Sequence, residues 1–261
     1  MPGAFLEEFF LFALVGFAAQ LVDGALGMAY GLISATVLLS VGVPPAQVSA
    51  SVHVAELFTT AISGTSHLAH RNVDFRLFWR VMPAGVIGGI IGAYVLTGIS
   101  SDIIRPIVIG YLGIMGALIL YRAALPHEER KIGDKSAAGF GLLGGFSDAI
   151  GGGGWGPMVT SALLARGGTP RFVIGTVSSS EFVVTLAISA TFVWAFMSGH
   201  WEDAGDLSQH LIAIGGLIAG GVVSAPLAAY LARYVPSRAL MLAVGLLVLG
   251  LCLYQGWQLI G

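Results

Sequence analysis

Four acidic side chains and one histidine sit inside long apolar stretches of this chain: Asp23, Glu56, Asp148, Glu181 and His53. A group that ionises at membrane depth is costly to bury and is usually kept for a function. It can bind a cation, relay a proton, or accept a backbone N–H where a helix is interrupted. Asp23 stands in Gln20-Leu-Val-Asp23-Gly24-Ala-Leu-Gly27-Met-Ala-Tyr30-Gly31, and Asp148 in Phe146-Ser147-Asp148-Ala-Ile-Gly151-Gly152-Gly153-Gly154-Trp155-Gly-Pro157. Four consecutive glycines cannot hold a helix interior, because each costs up to about 1 kcal/mol against alanine. Both stretches therefore read as helix breaks.

Irregular backbone at membrane depth persists only where protein buries it or where it lines a wet cavity. Glycine lets backbone N–H groups approach a ligand, and Pro157 suits the first turn of a following helix. The positive end of that helix would face the break, as an anion site requires. No Lys or Arg lies deep in any apolar segment, so an anion would rest on N–H groups and neutral donors. The candidate substrate-binding residues are Gln20, Asp23, Gly24, Gly27 and Tyr30 in the first break. In the second they are Ser147, Asp148, Gly151, Gly152, Gly153, Gly154 and Trp155. Plainer readings stand beside these. Glycines also bring helices close, the preferred reading for Gly110, Gly113, Gly116, Gly216 and Gly220, and an Asp before a helix start is a common cap.

His53 precedes Glu56 by three residues, so the two share a helix face, and Ser178 and Glu181 lie within the corresponding long segment of the second half. These four residues are the candidates for coupling or gating. A protonatable pair there could carry a proton with the substrate, and the plainer reading is a hydrogen bond between structural repeats. No clustered His/Asp/Cys set has metal-like spacing, so no metal and no cofactor is expected. Nucleophile–base motifs and a P-loop are missing as well, so the chain is not expected to be an enzyme or, alone, an ATP-driven pump.

The elements that must position these residues follow from composition. Of 261 residues, 56% are hydrophobic and 10% charged, with a mean hydropathy of +0.87. An average soluble domain has roughly 45–50% apolar and about 25% charged residues. That disfavours a soluble enzyme, a nucleic-acid binder and a disordered chain, and it makes the lipid bilayer a partner. The apolar runs are continuous rather than alternating, which speaks for an all-α polytopic membrane protein against a β-barrel. The lone Cys252 lies in an apolar run and reads as packing. Glu7 and Glu8 stand where a signal peptide would carry Lys or Arg, so the first apolar segment is expected to belong to the mature protein.

Ten apolar segments are expected, at about 4–22, 26–41, 46–69, 80–98, 103–121, 136–150, 154–166, 171–197, 210–232 and 237–259. Most approach the roughly 20 residues that span a bilayer; the sixth and seventh are shorter and are joined by Gly151–Gly154. If all ten cross, eleven of the 12 basic residues fall on one side and Arg105 alone on the other. The positive-inside rule makes the basic side cytoplasmic and puts both termini outside. A re-entrant hairpin keeps the same parity, so ten full spans and about eight spans with re-entrant short segments both satisfy the charge bias. Trp79, Trp194 and Trp201 read as anchors at headgroup level, and His200-Trp201-Glu202-Asp203 with Asp206 as an acidic external loop.

Sliding the chain by 125 residues places Gly16–Thr60 on Gly141–Thr185 without a gap and gives 12 identities in 45 positions. Asp23/Asp148, Glu56/Glu181 and Pro45/Pro170 are the informative ones, since intramembrane acids are rare. At a shift of 136, Tyr94 meets Tyr230. The domain reading is a first transmembrane repeat at 1–122, a cytoplasmic linker at 123–135 and a second at 136–261. Five segments per half is an odd number, so the halves enter from opposite sides. This is an inverted-topology repeat of about 5+5 segments, with the first two of each repeat short or broken. Secondary transporters with that architecture bind substrate near the midplane between repeats.

At these motifs, together with Ser49-Ala-Ser-Val-His53-Val-Ala-Glu56, the chain resembles the TauE/SafE sulfite exporter family, also called TSUP, over nearly its whole length. The resemblance implies a transporter of a small sulfur-containing anion such as sulfite, sulfoacetate or another sulfonate, in a prokaryotic inner membrane. The alternative from the residues alone is a proton-linked cation permease using the paired acids. The glycine faces would permit a homodimer without demanding one.

Overall fold

The computed structural model describes residues 2–124, 134–201, 204, 211–234 and 236–260. It consists of helices α1 (Pro2–Leu26), α2 (Tyr30–Ser40), α3 (Pro45–Ala69), α4 (Phe75–Thr97), α5 (Ser101–Ala124) and α6 (Asp134–Gly151). A π-helical turn (Gly156–Thr160) leads into α7 (Ser161–Ala165), followed by α8 (Pro170–Met197), α9 (Leu211–Tyr234) and α10 (Ser237–Ile260). Most of the linker expected at 123–135 lies outside the described residues, as do Glu202, Asp203 and Asp206.

Local chemistry sets the element ends. Pro45 and Pro170 open α3 and α8 at the first helical turn, where a missing N–H costs nothing. Asp74 caps α4 by accepting from the N–H groups of Arg76 and Leu77. Gly27 and Gly152 close α1 and α6 with φ of +66° and +69°, the left-handed conformation that ends many helices. They are equivalent positions of the sequence repeat, and their N–H groups return to the carbonyls of Asp23 and Asp148 at 2.6 and 2.7 Å. Gly42 and Gly167 repeat the pattern after α2 and α7, with φ of +93° and +85°.

Shortness falls on the second segment of each repeat. The 11 residues of α2 and the 10 of Gly156–Ala165 span about 15–17 Å at a rise of 1.5 Å per residue. That is half of a hydrocarbon core about 30 Å thick, so neither crosses by itself. Among the described residues, five helices are long and apolar enough to span on length and composition alone: Leu6–Leu26, Phe75–Thr97, Ser101–Ala124, Pro170–Met197 and Ser237–Leu259. The outer surface is apolar, with Phe10, Leu14, Ile114 and Leu253 exposed, as lipid contact requires. The chain is a polytopic membrane protein.

Packing follows the repeat. Helix α1 lies on α9 and α6 on α4; α3 lies on α9 and α8 on α4; α3 and α8 meet at the centre, and α5 meets α10. Exchanging each helix with its equivalent in the other half returns the same set. Gly116, Gly216 and Gly220 allow close crossings, as expected, whereas Gly110 has nothing within 4 Å of its Cβ position and Gly113 only an ordinary contact with Cys252 at 3.7 Å, so these two do not serve close packing. A Cβ at Gly216 would meet the Phe9 carbonyl at 2.6 Å, and one at Gly116 would meet Val248 at 3.0 Å. Cys252 is buried, as expected for packing. Trp201 departs from expectation. It is 5% exposed and packs on Phe192 with ring centroids 5.8 Å apart, whereas Trp79 and Trp194 are exposed. Its N–H bond to the Ala195 carbonyl folds it back onto α8, so it fills the core instead of anchoring a headgroup.

Candidate functional site

The two breaks meet at the centre of the molecule. A Cβ on Gly31 would lie 2.5 Å from the Gly152 carbonyl oxygen, 2.6 Å from Glu56 Oε1 and 2.8 Å from Gly153 Cα. A Cβ on Gly153 would strike the Leu32 nitrogen, and one on Gly156 would lie 2.7 Å from Met28 Cα. Thr160 Oγ1 donates to the Gly27 carbonyl at 3.0 Å. The glycines therefore let one backbone break cross the other in contact. Among the described residues the two breaks are in direct contact, and the residues expected to cradle a ligand are mostly buried.

Both aspartates accept from backbone N–H groups at the breaks. Asp23 Oδ1 accepts from Tyr30 N at 3.3 Å. Asp148 Oδ1 accepts from Gly154 N at 2.7 Å and Trp155 N at 3.0 Å. Each aspartate thus caps the short helix that follows its own long one, the plainer reading of the sequence. Other donors are also committed: Tyr30 Oη donates to the Leu217 carbonyl at 3.0 Å and Trp155 Nε1 to the Val177 carbonyl at 3.2 Å. Trp155 is fully buried, its ring against Gly85. Ser147, Gly24 and Gln20 complete the set, with Gln20 buried and its Oε1 unpartnered.

His53 joins the two halves. Its Nε2 lies 3.3 Å from Asp148 Oδ2, and its Nδ1 lies 2.7 Å from the Ser49 carbonyl. Ser49 Oγ in turn donates to the Ala149 carbonyl at 2.6 Å, which ties α3 to the end of α6. Acceptor or donor atoms of His53, Glu56 and Asp148 all lie within 4.8 Å of one another, and all three residues are buried. Glu181 and Asp23 are close enough to Glu56 to act on it electrostatically, so four carboxyl groups gather at the centre. Ser178, equivalent to His53 in the repeat, is buried on α8.

Two residues escaped the sequence reading. Tyr111 on α5 packs its ring on Gly151 and its hydroxyl on Gly154. Its position four residues before Met115 on the buried stripe of α5 was the only signal. Arg122, counted only as a basic loop residue, lines a cavity of about 860 Å³ at the arginine-rich end of the molecule. Its walls include Leu26, Phe140, Leu143, Ile174 and Met241, and its inner end reaches Met28 and Ser161 beside the crossing. The Arg122 guanidinium donates to the Ser161 carbonyl, while Arg166 covers the Phe140 ring at 4.8 Å.

A multi-pass helical bundle with two broken helices meeting at a buried polar centre belongs to the class of membrane transporters. The family model described as sulfite exporter TauE/SafE matches residues 12–255, and the chain belongs to that family. It is similar to the probable membrane transporter protein YtnM of Bacillus subtilis (strain 168). The two are 39% identical over 235 residues, covering 87% of this chain and 76% of that protein. No solved structure matches it.

Proposed function

We propose that this TauE/SafE family transporter exports a small sulfur-containing anion, such as sulfite, sulfoacetate or another organosulfonate, across a prokaryotic inner membrane by alternating access. One observation carries the reading. Two repeat-related breaks, each presenting a helix N-terminus, cross at the core, and the cavity bearing Arg122 reaches that crossing from the basic end. By the positive-inside rule that end is cytoplasmic, so the cavity is an entry for an anion leaving the cell. A guanidinium is well suited to an oxyanion because it offers a planar fork of donors. The inside-negative potential favours outward movement by about 2.3 kcal/mol per charge per 100 mV.

The halves 1–122 and 136–261 are the inverted repeats that rock around the crossing, which seals the path in the state described above. Export requires the two breaks to part, exposing the N–H groups of Tyr30, Gly154 and Trp155 together with Ser147 and Gln20. A second reading is favoured by the four carboxyl groups at the centre, which suit a proton-linked cation permease. Uptake and counterflow in proteoliposomes, with sulfite, sulfoacetate, taurine and sulfate as competitors, separate the two. Saturable transport of one sulfur anion supports export. No movement of any of them by folded protein, together with cation flux, supports the permease.

A further inference from the structure

We infer that Asp148 occupies the place of the transported anion, and that a single proton shared with His53 makes it give up that place. The inference rests on the anion-transport reading. Asp148 uses both carboxyl oxygens: Oδ1 holds the N–H groups of Gly154 and Trp155 at 2.7 and 3.0 Å, and Oδ2 faces His53 Nε2 at 3.3 Å. Those two N–H groups immediately precede the ten-residue helical segment Gly156–Ala165, at the end where a helix receives an anion. A carboxylate already fills it.

The hydrogen-bond partners assign the imidazole tautomer. The Ser49 carbonyl only accepts, so His53 Nδ1 at 2.7 Å must carry a hydrogen. The Nε2–Oδ2 contact then needs one further hydrogen, on Nε2 or on Oδ2. With that proton on Oδ2 the carboxyl group is neutral. Its bonds to Gly154 and Trp155 lose their charge assistance and about half their strength. An incoming oxyanion, which keeps its full charge, then takes both donors. A pair that already holds the hydrogen passes it from Nε2 to Oδ2, breaking an N–H and forming an O–H bond; a pair that has lost it takes one proton from water.

Glu56 Oε2, buried and without a partner, lies in the same cluster and offers the proton a second position. The titratable groups facing Asp148 are His53 and Glu56 from α3, Tyr111 from α5 and Glu181 from α8. None is a Lys or Arg that would neutralise the carboxylate permanently. The first break lacks this device. Asp23 caps Tyr30 in the same manner, but the residue equivalent to His53 is Ser178, which has no ring nitrogen to hold a proton. The histidine-paired device therefore belongs to the second break, with one shared hydrogen per bound anion. For a sulfite dianion one net negative charge remains, and the potential still drives export.

The test is proton uptake on sulfoacetate binding, measured by calorimetry of the full-length purified protein in two buffers of different ionisation enthalpy. Sulfoacetate keeps a constant charge near neutral pH. Wild type is expected to take up one proton per sulfoacetate, with affinity falling about tenfold per pH unit, at alkaline pH where the His53–Asp148 pair has lost its shared hydrogen, and to take up none where the pair already holds it. Asp148→Asn still caps Gly154 and Trp155 through its amide oxygen; it should bind with no proton uptake and no pH dependence. Asp23→Asn should keep the one-proton uptake whatever its affinity. Uptake that persists in Asp148→Asn, or that vanishes in Asp23→Asn instead, overturns the inference. A pH-step infrared measurement without any anion keeps the test decisive if sulfoacetate does not bind, an outcome that counts against the transport reading alone. The protonated-carboxyl band should disappear in Asp148→Asn, and a band that survives places the proton elsewhere.

Discussion

Gly31→Ala isolates the crossing of the two breaks. The new Cβ would sit 2.5 Å from the Gly152 carbonyl oxygen and 2.8 Å from Gly153 Cα, against an ordinary contact of 3.4 Å. Both neighbours are backbone, and the third, Glu56 Oε1 at 2.6 Å, belongs to a side chain wedged in the buried cluster. The breaks must part by about 0.9 Å at this point, the difference between 3.4 and 2.5 Å. Overpacking of a tight core costs roughly 1–3 kcal/mol, and backbone on two sides places this case near the upper end. For a chain of this size that lowers the unfolding midpoint by about 5–10 °C. Gly139→Ala is the control: nothing lies within 4 Å of its Cβ position, and a better helix former gains up to about 1 kcal/mol. The assay is thermal unfolding in detergent alongside counterflow in proteoliposomes. Gly31→Ala should lose stability and transport while Gly139→Ala keeps both. Equal midpoints and equal transport for the two would refute the contact between the breaks.

Three further outcomes follow from the same geometry. Asp148→Ala leaves the N–H groups of Gly154 and Trp155 without an acceptor, at roughly 1–3 kcal/mol each, so its unfolding midpoint should fall well below that of Asp148→Asn; similar midpoints would deny the cap. Ala29 holds φ of +143° where the repeat-equivalent residue is Gly154, so Ala29→Gly should stabilise by about 1 kcal/mol, read as a midpoint higher by about 2–4 °C. Arg122→Gln should raise the KM for anion entering from the basic end roughly tenfold, about 1.4 kcal/mol for one charge-assisted bond, with kcat little changed; an unchanged KM would remove Arg122 from the path.

Much of this molecule is legible in one dimension because its physics is local. The lengths of apolar runs mark the helices: the segment expected at 171–197 is Pro170–Met197, and that at 46–69 is Pro45–Ala69. Gly27 and Gly152 end helices because a left-handed residue is cheap only for glycine, and Asp23 and Asp148 cap because a carboxylate finds the nearest free N–H groups. The repeat, visible as Asp23/Asp148 and Glu56/Glu181, already announced which helices exchange partners. Tertiary structure decided what depends on contacts between distant segments. Spacing paired His53 with Glu56 on one helix; packing of α3 against α6 placed its ring on Asp148, 95 residues away. The glycine runs suggested an open cradle, yet the close approach of Gly31 and Gly153 fills it with backbone. Arg122 and Trp201 changed roles for the same reason. Side-chain type sets what a residue can do, and only the faces that helices turn toward one another determine what it meets.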